Sequence, residues 1–102
     1  MYFNVNLNIH YTAPKDVWDR IAEIYREMPH WNGYVDGCPT WYGSDGKRID
    51  ASVEPSGLQF YAAGLSQEEW KEWLQLLKER ASAELGYPIG EPEDGFEFKY
   101  WD

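Results

Sequence analysis

Three groups of residues in this chain are of types that could do chemistry. The first is the acidic turn Glu91-Pro92-Glu93-Asp94, with Glu97 close behind it. Clustered carboxylates attract hard cations, but a calcium loop needs them at alternate positions, as in Asp-x-Asp-x-Asp-Gly with a distant Glu. Pro92 separates the acids here and that spacing is missing, so solvated turn charges are the better reading and no metal is expected. The second group is His10 and Cys38, a base and a thiol that would make a nucleophilic pair if the fold joined them. A reactive thiolate needs a lowered pKa and an oriented partner. Neither is visible around Cys38, which precedes Pro39 in a Gly-rich stretch and reads as a small packed group. His10 falls on an outward strand position, and His30 follows Pro29 at a helix end. The third group is Asp50, Glu54 and Glu97 among tryptophans, which suggests the acid and base or nucleophile that flank a sugar bond in glycosidases. Their separation cannot be read from spacing, and 102 residues are few for an enclosing cleft. A non-catalytic protein without cofactors is therefore expected, with a small carbohydrate-active enzyme using a carboxylate pair as the alternative.

A binding surface is the stronger theme. Eighteen acidic residues oppose nine basic ones, for a formal net charge of −9, and six Trp and eight Tyr accompany them. Such an imbalance dictates no fold, but it favours solubility and draws cationic partners. Trp and Tyr dominate binding hot spots. The same charge argues against nucleic acid, which needs basic residues to replace counterions on phosphates, and against anionic membrane surfaces. No apolar run approaches a membrane span, and the amino terminus lacks the features of a signal peptide. Cys38 is the only cysteine, which excludes a disulfide framework. A cytoplasmic protein is expected. Its charge is uneven: residues 87–102 carry Glu91, Glu93, Asp94, Glu97 and Asp102 against Lys99 alone.

The elements that must position these groups follow from periodicity. Phe3, Val5, Leu7, Ile9 and Tyr11 alternate with Asn4, Asn6, Asn8 and His10, which predicts a half-buried strand over 2–11. Pro14 opens a helix over 14–28 whose stripe is Val17, Ile21, Ile24 and Met28; Pro29 ends it. Residues 29–43 read as a long ordered loop holding Trp31, Tyr34, Trp41 and Tyr42, passing into a short strand near Thr40–Gly43. Asp45-Gly46 is a hairpin turn leading to a strand over 48–54, and Pro55-Ser56-Gly57 turns into another over 58–63. Ser66 and Glu69 make a capping box for a second helix over 67–85, with Gly86 at its end. Phe96, Phe98 and Tyr100 alternate with Glu97, Lys99 and Trp101, which predicts a last strand over 96–101.

The chain is thus read as one α+β domain over 1–102, of order β-α-β-β-β-α-β. It has two layers, a mainly antiparallel sheet with both helices on one face. The outer face would carry Asn4, Asn6, Asn8, His10, Asp50, Ser52, Glu54, Gln59, Tyr61, Glu97, Lys99 and Trp101. The residues expected to touch a partner are Asp50, Glu54, Tyr61, Glu93, Asp94, Glu97 and Trp101, with Trp31, Trp41 and Tyr42 of the loop.

The stretch Ala51-Ser52-Val53-Glu54-Pro55-Ser56-Gly57-Leu58 and the ending Gly90-Glu91-Pro92-Glu93-Asp94-Gly95-Phe96-Glu97-Phe98-Lys99-Tyr100-Trp101 look like features of small, acidic, uncharacterised bacterial proteins. In size, charge and order of elements the chain also resembles immunity proteins of bacterial toxin systems. That resemblance covers general character rather than a motif. It implies binding and neutralising of a cognate toxin, often a basic nuclease, and assigns no residue. The expected partner is a basic protein; a homo-oligomeric structural module is a further alternative.

Overall fold

The computed structural model describes residues 2–99 and Trp101. The chain runs through β1 (Tyr2–Leu7), α1 (Lys15–Glu27), β2 (Trp31–Val35), β3 (Cys38–Tyr42), β4 (Arg48–Glu54), β5 (Gly57–Ala63) and α2 (Gln67–Leu85), then a 3-10 turn at Pro92–Asp94. It is an α+β fold with a five-stranded sheet in the order β1-β5-β4-β3-β2, every neighbouring pair antiparallel. The long β4–β5 pairing runs in register from Arg48 opposite Ala63 to Glu54 opposite Gly57. Gly57 sits at φ 128°, where a Cβ would come within 2.4 Å of the Leu7 carbonyl oxygen. Only glycine lets β1 close against β5 at that corner.

Alternation along the strands turns one row of side chains toward the helices. Trp41, Ile49, Ala51, Leu58, Phe60 and Ala62 form a single core with Val17, Ile21, Ile24 and Tyr25 of α1 and Trp70, Trp73, Leu74, Leu77, Ala81 and Leu85 of α2. The second helix starts as its capping box requires: Glu69 N–H donates to Ser66 Oγ at 3.1 Å, and Ser66 N–H to Glu69 Oε1 at 2.9 Å. It stops at Gly86, at φ 67°. The first helix ends at Met28 ahead of Pro29.

The structure corrects the expected order to β-α-β-β-β-β-α in three places. Residues 29–43 are not a loop with one short strand but the hairpin β2–β3, turning at Asp36 and Gly37, both with positive φ (52° and 81°). Two positive central residues are what a two-residue hairpin turn demands. The first strand ends at Leu7 rather than Tyr11, because Ile9 N–H folds back to the Leu7 carbonyl at 2.8 Å in a γ-turn. Leu7, Asn8 and Ile9 are then all buried in succession, so Asn8 is not on the outer face. Residues 96–99 form no strand; Tyr100, the last inward position of that expected strand, lies outside the described residues. Their alternation reflects ring packing. Phe96 lies over Gly90, where a Cβ would fall 2.4 Å from the ring. Phe98 meets His10 edge-on at 6.0 Å and lies beside Gly57, where a Cβ would be 3.3 Å from its ring.

Candidate protein-binding surface

The carboxy-terminal segment reaches its position through one buried amide. Asn8 is 1% exposed, and its Nδ2 donates to Tyr87 Oη at 3.0 Å, the Pro88 carbonyl at 3.0 Å and the Glu97 carbonyl at 2.8 Å. Its Oδ1 accepts from Gly90 N–H at 2.8 Å, while its own N–H reaches the Gly90 carbonyl at 3.0 Å. The Tyr87 hydroxyl also donates to the Glu97 carbonyl. Lys99 Nζ stands 4.4 Å from the centre of the half-buried Trp101 ring, and Trp101 meets Tyr87 edge-on at 6.5 Å.

This latch carries four carboxylates, Glu91, Glu93, Asp94 and Glu97, within seven residues. Glu93, Asp94 and Glu97 are exposed and make no ion pair among the described residues. Glu91 is set back beside Lys78 at 3.7 Å; burial, and then the neighbouring Asp94, raise its pKa. Glu54 stands at the β4 end next to the turn that Phe98 abuts, so the tail and the β4–β5 turn share one end of the molecule.

The face of the sheet away from the helices is less acidic than expected. Asp50 is held by Arg48 at 2.7 Å, and the centre of the face is a set of amides and tyrosines. Gln59 donates to Asn4 at 2.8 Å and Ser56 to Asn6 at 3.1 Å. Tyr2, 73% exposed, stacks on Tyr61 at 5.9 Å. Of the expected partner contacts, Asp50, Glu54 and Tyr61 therefore share this face, and Glu93, Asp94, Glu97 and Trp101 belong to the tail.

The aromatic residues of the hairpin divide. Trp31 is half-buried, edge-on to Tyr34 and to Trp41, each at 5.5 Å. Tyr42, at φ 63°, stacks on His30 at 4.0 Å beside Glu69 and Glu72 of α2. Desolvation first, then the Glu69 charge, raise its phenol pKa. Trp41 is different: it is 0% exposed and its Nε1–H donates to the Tyr25 carbonyl at 3.0 Å. It is a core residue, out of reach of any partner while the domain is folded.

The candidate base and thiol, His10 and Cys38, are not brought together by the fold. His10 lies just beyond β1, next to Thr12 at 2.6 Å, whereas Cys38 is on β3, separated from β1 by β5 and β4. Among the described residues no group of three His, Cys, Asp or Glu side chains could hold a metal ion. No helix among them is long and apolar enough to cross a membrane. Sequence reasoning missed Asn8, Tyr87 and Tyr2. Asn8 sat in an outward register that its local pattern gave no reason to doubt. Compared with known proteins, the chain matches no family model, no curated protein and no solved structure.

Proposed function

We propose that this chain is a non-catalytic, acidic binding module that captures a basic protein inside the cell, of the immunity or inhibitor kind that neutralises a basic toxin or nuclease. The supporting observation is the placement of Glu93, Asp94 and Glu97. They are exposed, free of ion pairs among the described residues, and mounted on a segment tied to β1 through the buried Asn8. A fixed cluster of like charge on a −9 chain steers a cationic partner and lowers the ordering cost on contact. Trp101 and Tyr87 beside it offer aromatic area for a short-range anchor.

The test is association kinetics with a basic protein captured at low salt from the source cell. Replacing Glu93, Asp94 and Glu97 together by Gln, Asn and Gln should slow kon and flatten its salt dependence. Raising salt from about 0.01 M to about 0.15 M cuts the screening length from about 30 Å to about 8 Å, which removes most of the steering in the unmodified chain. Trp101→Ala should instead raise koff, by roughly thirtyfold or more if it is a hot spot. An association rate indifferent to both salt and the triple substitution would sink the reading.

A further inference from the structure

The sheet ends differently at its two edges. β2 carries a register shift between Trp31 and Gly33, with Gly33 at φ 86°, and such irregularities blunt an edge against pairing. β1 has no such defence. It pairs with β5 in unbroken register from Tyr2 opposite Ala63 to Leu7 opposite Leu58, and it holds no charged residue and no Pro. Every second residue of an edge strand turns its N–H and C=O away from the sheet. Among the described residues no backbone-to-backbone hydrogen bond joins Tyr2–Asn6 to any segment but β5. The core-facing row is also unfinished there. Leu58, Phe60 and Ala62 of β5 are buried, whereas Phe3 and Val5, opposite Ala62 and Phe60 on β1, are only half-buried. A groove of about 520 Å³ lies between β1 and α2, floored by Phe3, Trp70 and Leu74; the Phe3 ring stacks on Trp70 at 5.7 Å. Its two ends differ in charge. Next to Trp70 on the groove wall stands Lys71, exposed and without an ion pair among the described residues. At the other end Lys78 is matched by Glu91 at 3.7 Å, just past Gly90, whose carbonyl takes the Asn8 N–H beyond the end of β1.

We propose that β1 accepts an extended peptide as an added antiparallel strand, with apolar side chains at alternate positions in the groove and one carboxylate near its C-terminal end on Lys71. Unpaired backbone groups call for a strand, and the half-covered Phe3 and Val5 call for apolar side chains on one face of it. In this mode of recognition main-chain bonds supply affinity and pockets for alternate side chains supply specificity. Antiparallel pairing is the more stable arrangement and the one every neighbouring pair of this sheet uses. It lays the C-terminal half of the peptide along Tyr2 and Phe3, the Lys71 end of the groove. A second copy of the chain fits poorly. Its own β1 has no Asp or Glu to meet Lys71, and two chains of net charge −9 repel.

The experiment titrates the isolated protein with short peptides, acetylated and amidated at their ends, and follows the backbone amide resonances. The peptides carry every combination of Val, Ile, Leu and Phe at alternate positions, Thr between them, and a single Glu toward the C-terminal end. Saturable shifts are expected at Tyr2–Asn6 and Lys71. Replacing the Glu by Lys, or moving it to the N-terminal end, should weaken binding about two- to fivefold, the worth of one exposed ion pair. Lys71→Gln, an exposed change that spares the fold, should erase that preference. Methylating the backbone nitrogens of the best peptide at one set of alternate residues should cost about tenfold or more, and at the other set much less, because only one set faces β1. The proposal is overturned if no peptide saturates the β1 amides, if both methylated sets bind as well as the parent, or if the Lys peptides bind as tightly as the Glu ones. It is equally overturned if the β1 amides shift with protein concentration alone, since the occupant would then be a second copy. No basic protein enters the titration, so its outcome is separate from that of the capture reading.

Discussion

Replacing Asn8 by Leu removes the side-chain tie between the first strand and the acidic tail while keeping the branched shape of the side chain. Four side-chain hydrogen bonds disappear, three donated by Nδ2 and one accepted by Oδ1. Two amide hydrogens serve those three acceptors, so about three full bonds are at stake. Each is worth about 1 kcal/mol net, and orphaned buried groups such as Gly90 N–H add to the loss. A destabilisation of about 3 kcal/mol follows, which lowers the midpoint of a domain this size by roughly 15 °C. Urea and thermal unfolding of both proteins measure the first figure. Amide exchange then locates it, because protection at Gly90 should fall before protection in α2. Asn8→Asp sharpens the argument, since a carboxylate keeps the acceptor for Gly90 but turns charge toward the Pro88 and Glu97 carbonyls. Buried among them, the introduced carboxyl would titrate above its unfolded value. The deficit of that variant should therefore be full at neutral pH and shrink as pH falls through the raised pKa toward about 4. A loss below about 1 kcal/mol in Asn8→Leu, or unchanged Gly90 exchange, would refute the latch.

Other expectations can be checked with the same instruments. Glu69 is held down to about 2 by the hydrogen bond from Lys47 and then by Ser66 N–H, so its contribution is fully present above the ordinary carboxylate range. The stability gap between the natural chain and Glu69→Gln should be constant near neutrality and close as pH drops from about 4.5 to about 2. Trp41→Ala should cost about 4 kcal/mol through the cavity it leaves, and Trp41→Phe about 1 kcal/mol or more through loss of the bond to the Tyr25 carbonyl; folded Trp41→Phe should bind any partner as before. Gly57→Ala should destabilise by about 1–3 kcal/mol, with the disturbance read by chemical shifts at Leu7, whose carbonyl the new methyl would strike.

Much of the framework is legible in local patterns because local rules decide it. The capping box Ser66–Glu69 and Gly86 bound α2 at Gln67–Leu85, and the Asp45-Gly46 turn sets up β4. The hairpin β2–β3 escaped because Gly33 and Pro39 break its alternation and β2 carries a register shift between Trp31 and Gly33. Its turn nevertheless has the same Asp-Gly signature, at Asp36-Gly37, as the one at Asp45-Gly46. Periodicity misled at both chain ends for one reason. A period of two shows that alternate residues meet different surroundings, not that a neighbouring strand supplies them. Phe96 and Phe98 meet Gly90 and Gly57, and beyond Leu7 the backbone turns while the alternation of Ile9 and Tyr11 continues.

The candidate surface was harder to read, since charge can be counted in a sequence but ion pairing cannot. Asp50 and Glu54 lie on one strand, yet Arg48 holds the first at 2.7 Å. Glu93, Asp94 and Glu97 have no such pairing among the described residues and keep their full field. The two ends of the chain thus divide the work. The first 14 residues contain no Asp, Glu, Lys or Arg, and within them Asn8 supplies the fixed point; the last stretch supplies the charge. If capture depends on that division, Asn8→Leu should leave the salt dependence of kon nearly intact, because the charges remain. It should raise koff, because the freed tail must be ordered again in every complex. The triple acidic substitution should do the reverse. A triple acidic variant that kept its full salt dependence would show that the charge acts from somewhere other than the tail.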